Sequence, residues 1–133
     1  MDDLYREVII EHYKNPTYRG ELEPCDIRFE DENPLCGDHL RIDLRIDAQG
    51  NVQETAFSGH GCAISQASAD LLLESIQGKS VDDIKLLTKE DVLDLLGIEL
   101  GPVRLKCALL SLKVLKGGVY GMGETSGHPV EGA

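Results

Sequence analysis

Leu40-Arg41-Ile42-Asp43-Leu44-Arg45-Ile46-Asp47 alternates apolar and charged side chains with a strict period of two. Successive side chains of a strand point to opposite faces, so this stretch predicts a β-strand with one apolar and one charged face. The apolar face must pack on something, and the charged face is expected to meet water. Downstream, Asp47-Ala48-Gln49-Gly50-Asn51 is turn chemistry, and Val52 to about Ser58 predicts a returning strand. Upstream, Ile27 and Phe29 alternate with Arg28 and Glu30. The three segments form an antiparallel meander.

Both flanks read as helix. In residues 2–13, Leu4, Tyr5, Val8, Ile9 and His12 recur at helical spacing until Asn15-Pro16 stops the run. Beyond Gly61 the period becomes helical again, with Ile64, Ala67, Leu71, Leu72 and Ile76 on one face and Gly78 at the end. Ser80-Val81-Asp82-Asp83 and Thr88-Lys89-Glu90-Asp91 are hydroxyl-x-x-acid starts, where the hydroxyl accepts an orphan N–H. They predict two short helices, the second closed by Gly97. Pro102 suits the first turn of a last helix, which is expected to reach about Lys116 before Gly117-Gly118 terminates it. Its apolar stripe is Val103, Cys107, Leu110 and Val114.

This order predicts an α+β fold: an N-terminal helix, a three-stranded antiparallel meander, then a cluster of helices packed on one sheet face. Residues 1–117 are expected to form a single domain. Residues 118–133, rich in glycine, are expected to be a flexible tail.

The chain has 133 residues, 41% of them hydrophobic, and a net charge of −11. That size suits one domain with its own core. The acidic balance argues against nucleic-acid binding and against docking on an anionic membrane. The Met-Asp-Asp-Leu start has no signal-peptide pattern, and no apolar run reaches the roughly 18 residues of a membrane span. A cytoplasmic location is expected, where thiols stay reduced. The four cysteines, Cys25, Cys36, Cys62 and Cys107, are therefore read first as ligands, nucleophiles or core residues.

Cys36 sits in a turn, Asn33-Pro34-Leu35-Cys36-Gly37-Asp38, with Asp38 able to reach the same point. A thiolate beside a carboxylate suits Zn²⁺ or iron. Cys62 lies between Gly61 and Ala63 where a strand gives way to a helix, and a helix N-terminus stabilises a thiolate. Cys107, next to Lys106, falls on the apolar stripe of the last helix, so spacing alone makes it core. Cys25 has no such surroundings and is read as structural. Because no C-x-x-C pair occurs, the residues alone leave a metal site and packed cysteines both open. His60 adjoins Cys62 and reads as a surface histidine or a ligand. His12, His39 and His128 receive no role.

Three ordered motifs carry a resemblance. Leu35-Cys36-Gly37-Asp38, Gly61-Cys62-Ala63-Ile64-Ser65 and Lys106-Cys107, together with His12-Tyr13-Lys14-Asn15-Pro16, resemble the IscU/SufU family of iron–sulfur assembly proteins, whose NifU N-terminal-like fold has this element order. The resemblance implies that Cys36, Asp38, Cys62 and Cys107 ligate Zn²⁺ or a nascent 2Fe–2S cluster. It implies that a cysteine desulfurase delivers sulfur, with Cys107 as persulfide acceptor, and that apo-proteins or cluster carriers receive the product. Lys106 stands where IscU-type members have histidine. Leu100-Gly101-Pro102-Val103-Arg104 departs from the Leu-Pro-Pro-Val-Lys chaperone signal. Both lean to the SufU type and away from an Hsp70-type partner. Residues 63–106, however, lack the insertion that SufU-type members carry.

Three functions compete on these grounds. A scaffold would assemble and release a cluster. A zinc-dependent sulfurtransferase would stimulate the desulfurase without holding the cluster itself. A non-enzymatic domain would use zinc only to fold.

Overall fold

The computed structural model describes residues 2–34 and 37–120. Met1, Leu35, Cys36 and residues 121–133 lie outside the described residues, and with them the expectations for Cys36, for His128 and for most of the tail.

The chain opens with helix α1 (Asp2–Lys14), followed by strands β1 (Ile27–Asn33), β2 (Asp38–Ile46) and β3 (Val52–His60). Helices α2 (Ala63–Ser75), α3 (Val81–Lys85), α4 (Lys89–Leu96) and α5 (Pro102–Tyr120) complete it. The strands form an antiparallel sheet in the order β1-β2-β3. Ile42 pairs with Phe29 on one side and Phe57 on the other. The expected α+β order is the observed one.

The apolar face of β2 is sealed, with Leu40, Ile42 and Leu44 each at most 2% exposed. Helix α5 lies across β1 and β2, α2 packs beside α5 and touches β3, and α1 rests on α2. Because α2 has neighbours on several sides, it is buried continuously from Ser65 to Leu73. Its polar residues are satisfied internally. The fully buried Asp70 accepts from the Tyr18 N–H at 2.8 Å and pairs with His12 Nδ1 at 2.5 Å, which ties α1 and the following loop to α2. His12 thus acquires a structural partner that its position in α1 did not suggest.

Local signals act as expected at several ends. Asp47 Oδ1 accepts from the N–H groups of Gln49 and Asn51 in the β2–β3 turn. Ser80 caps α3, Thr88 and Asp91 form a reciprocal capping box on α4, and Gly97 closes α4 in the left-handed region.

The charged face of β2 departs from expectation. Asp43 is only 1% exposed. Arg28 and Arg41 each donate to its Oδ1, at 3.1 and 3.0 Å, and the Leu22 N–H donates to Oδ2 at 3.1 Å. Burial pushes the Asp43 carboxyl up, but the hydrogen bonds from Arg41, Leu22 and Arg28 outweigh it and hold the group below its ordinary value. The segment around residue 22, which carries no sheet pattern of its own, covers this part of the face.

The last helix also differs. It continues through Gly117 and Gly118 to Tyr120, so residues 118–120 are helix and not tail. A Cβ on Gly117 would lie 2.8 Å from the Phe29 ring, and one on Gly118 would lie 2.9 Å from Ile27 Cγ2. These glycines admit the sheet to close contact and do not break the helix. At the other end Val103 is 56% exposed, outside the buried stripe that Cys107, Leu110 and Val114 do form. Among the described residues, no helix is long and apolar enough to cross a membrane.

Candidate metal centre

The two longer strands end at one place. β2 begins at Asp38 and β3 runs to His60, each two residues beyond its sequence-read limit. Gly37 enters β2 at φ +72, a conformation glycine adopts without strain. Just after β3, Cys62 is the N-cap of α2, and its side chain makes no capping hydrogen bond.

Asp38, only 2% exposed, faces this N-cap. Its Oδ1 accepts from the Cys62 backbone N–H at 3.0 Å, and its Oδ2 lies 3.7 Å from Cys62 Sγ. Ser65, also buried, donates from Oγ to the Cys62 carbonyl at 3.0 Å, with Oγ 3.9 Å from Cys62 Sγ. Gly61 makes this crowding possible. A Cβ there would sit 2.4 Å from Ser65 Oγ and 2.8 Å from Asp38 Oδ1.

Cys107 arrives from α5. It lies on the second turn of the helix, 2% exposed, and its sulfur turns inward toward the same point. Ligand atoms of Asp38, Cys62 and Cys107 all fall within 4.8 Å of one another. With Zn–S of about 2.3 Å and Zn–O of about 2.0–2.2 Å, a tetrahedral ion needs neighbouring ligands roughly 3.5–4 Å apart. The 3.7 Å between Cys62 Sγ and Asp38 Oδ2 already meets that, and two thiols with a carboxylate suit zinc or ferrous iron.

The structure thus gathers three of the four sequence-predicted ligands from β2, α2 and α5, while Cys36 lies outside the described residues. Cys25 stands apart at the start of β1, where burial and then the nearby Asp43 carboxylate push its thiol up. The His60 ring stacks on His39 with centroids 5.9 Å apart, and neither histidine belongs to the three-residue cluster. Lys106 is exposed and lines a groove with Pro34, Leu109, Leu110 and Lys113. Ser65 is the neighbour that sequence reading passed over. Its signal was present, since Cys62-Ala63-Ile64-Ser65 places a hydroxyl three residues after an N-cap.

Residues 4–126 match the NifU-like N-terminal domain family. The chain is 37% identical to the zinc-dependent sulfurtransferase SufU of Bacillus subtilis, over 90% of this chain and 91% of that one. It is 29% identical to the iron–sulfur cluster assembly scaffold protein IscU of Escherichia coli K12, over 86% of this chain and 91% of the other. Among solved structures, a Fervidobacterium islandicum protein named for iron–sulfur cluster scaffolding in the SUF system superposes with a TM-score of 0.71. That match has 27% identity and spans 85% of this chain and 94% of that one.

Proposed function

We propose a function from one premise: the chain belongs to the family of NifU-like N-terminal domains. The protein takes part in iron–sulfur cluster assembly. It accepts sulfur from a cysteine desulfurase and holds Zn²⁺, or a nascent 2Fe–2S cluster as its cargo, at Cys36, Asp38, Cys62 and Cys107. Apo-proteins or cluster carriers take the product onward. A cytoplasmic setting, where thiols stay reduced, suits this chemistry.

One observation carries the reading: Asp38, Cys62 and Cys107 converge to within 4.8 Å from three separate elements. Cys36 joins them on the strength of the Leu35-Cys36-Gly37-Asp38 motif. Zn²⁺, when bound, would keep the thiols deprotonated and damp their nucleophilicity. The chain's own residues set the rest. The Cys62 N–H anchors Asp38 through Oδ1 and leaves Oδ2 toward the ligand cluster. A hard carboxylate holds cluster iron less firmly than thiolate does, which suits a cargo that must leave. Cys107 accepts the sulfur as a persulfide.

A second reading, a zinc-dependent sulfurtransferase that stimulates the desulfurase, is favoured by Lys106 in place of histidine and by the 37% identity to a protein of that name. A purely structural zinc domain is the third reading, and it predicts destabilisation by a chelator with no effect on a desulfurase. Anaerobic purification followed by metal analysis and absorption spectra separates these, before and after incubation with desulfurase, cysteine and iron. A transferable 2Fe–2S spectrum supports the scaffold. Tight Zn²⁺ without a visible cluster, combined with desulfurase stimulation that Cys107→Ser abolishes, supports the sulfurtransferase. Tight Zn²⁺ with no effect on the desulfurase leaves the structural domain and overturns both.

A further inference from the structure

The thiol centre leaves out His39 and His60, and the sheet sets these two side by side. They are direct register partners on β2 and β3. Side chains alternate along a strand, and Leu40, Ile42 and Leu44 fill the core, so His39 stands on the opposite face with Arg41 and Asp43. Its ring stacks on that of His60, which is exposed. The third strand adds a carboxylate. Glu30 of β1, also exposed, places Oε2 3.7 Å from His39 Nε2. Arg41, the register partner of Glu30, is turned to Asp43 instead, with bonds of 3.0 and 3.1 Å. Asp38, one residue before His39, falls by the same alternation on the inner face, where it is 2% exposed. The two donor sets therefore lie on opposite faces of one sheet end.

Two imidazoles and a carboxylate suit zinc, nickel or ferrous iron, and imidazole disfavours Mg²⁺ and Ca²⁺. The spacing fits. With Zn–N bonds of about 2.0–2.1 Å, two imidazoles that share one ion have ring centroids about 5–6 Å apart. The observed separation is 5.9 Å. The rings lie 24° from parallel, so each must turn about its last side-chain torsion to aim a nitrogen between them. That torsion is soft in histidine, and both rings sit where solvent leaves them room. Nitrogen and oxygen ligands of a tetrahedral ion stand about 3.3–3.5 Å apart, close to the 3.7 Å between Glu30 and His39. A chain of net charge −11 also draws cations to its surface.

We infer that Glu30, His39 and His60 form a second metal site, on the outer face of the sheet, for one divalent transition-metal ion. Each strand supplies one ligand, and water completes the coordination. The site contains no thiol, so it is independent of the role that the thiol centre plays.

The test is an anaerobic calorimetric titration of the full chain with Zn²⁺ in a large excess of Mg²⁺. The wild type is expected to take one more equivalent than His39→Ala or His60→Ala. Loss of a mere supporting contact costs about 10–100-fold in metal affinity, so loss of either imidazole should weaken this equivalent by at least about tenfold. Glu30→Gln should weaken it less. In a Cys62→Ser background, His60→Ala should still remove one equivalent. A second readout needs no variant. Substoichiometric Ni²⁺ added to the zinc-loaded wild type should broaden the ring-proton NMR signals of His39 and His60 before that of His12, which is bonded to Asp70. Equal stoichiometry and affinity in the wild type and both histidine variants, or suppression of the equivalent by Mg²⁺, overturns the site. So does its disappearance in Cys62→Ser alone, which would assign the ion to the thiol centre.

Discussion

The backbone N–H of Cys62 holds Asp38 Oδ1 at 3.0 Å, while Asp38 Oδ2 stands 3.7 Å from the Cys62 sulfur. One residue thus orients its own co-ligand. In the proposed centre the Asp38 side chain would supply the hard ligand, so its removal tests whether that ligand makes the cargo leave. Asp38→Ala is expected to lengthen the lifetime of an assembled 2Fe–2S cluster severalfold, followed as loss of visible absorbance in the presence of an apo-acceptor. Equal lifetimes for the variant and the wild type would remove this role from Asp38.

Gly61 is the gap through which that arrangement is possible. An alanine Cβ would meet Ser65 Oγ at 2.4 Å and Asp38 Oδ1 at 2.8 Å, so one of the two must move. Both touch Cys62, and displacing such supporting contacts costs about 10–100-fold in metal affinity. Gly61→Ala is therefore expected to weaken zinc binding by that factor in a competition titration with a chromophoric chelator. The metal-free protein should also lose about 1–3 kcal/mol, because buried Ser65 or Asp38 must shift. Wild-type zinc affinity in this variant would show that Asp38 does not need its present position.

The buried cluster on the other sheet face makes a prediction about acid. Asp43 is held below the ordinary carboxylate value of 3.8, chiefly by the hydrogen bonds from Arg41, Leu22 and Arg28 acting against burial. A carboxyl with a depressed folded value contributes stability that is present above its unfolded value and lost as pH falls through the folded one. The wild type should therefore lose stability steeply below pH 3.8. Asp43→Asn should begin about 3 kcal/mol less stable at neutral pH, since Arg28 and Arg41 lose their shared partner, and should decline less in acid. Urea unfolding at a series of pH values reads both. Parallel curves for the two proteins would refute the linkage.

These positions show what was legible in the sequence and what was not. Period two in residues 40–47, the capping hydroxyls of Ser80 and Thr88 and the turn at Asp47 each act within a few residues, and each is realised where the sequence places it. Asp43 reads as a solvent-facing charge because its cover comes from residue 22, far from its own strand. The metal centre is a stronger case. Its candidate ligands Asp38, Cys62 and Cys107 lie on β2, at the N-cap of α2 and on α5, and no local spacing unites them. Only the ordered motifs pointed to their meeting, and Cys107 alone looked like core because it is also buried.

Gly117 and Gly118 make the same point at the end of α5, where glycine reads locally as a stop but is needed for a close approach. The sign of one substitution decides between these roles. In an open helical position, Gly→Ala stabilises by about 1 kcal/mol. At Gly117 the new Cβ would lie 2.8 Å from Phe29 Cε2 and Cζ, and the ring, half-buried between α5 and the sheet, must shift. Overpacking of this kind costs about 1–3 kcal/mol, so Gly117→Ala is expected to destabilise by a net amount of about 1 kcal/mol in urea unfolding. Shortening the neighbour should reverse this. In a Phe29→Leu background the alanine no longer meets a ring, and the helix-propensity gain should emerge as a neutral or stabilising change. If Gly117→Ala stabilises the otherwise wild-type protein by about 1 kcal/mol, the position has room to spare and the close-approach account fails.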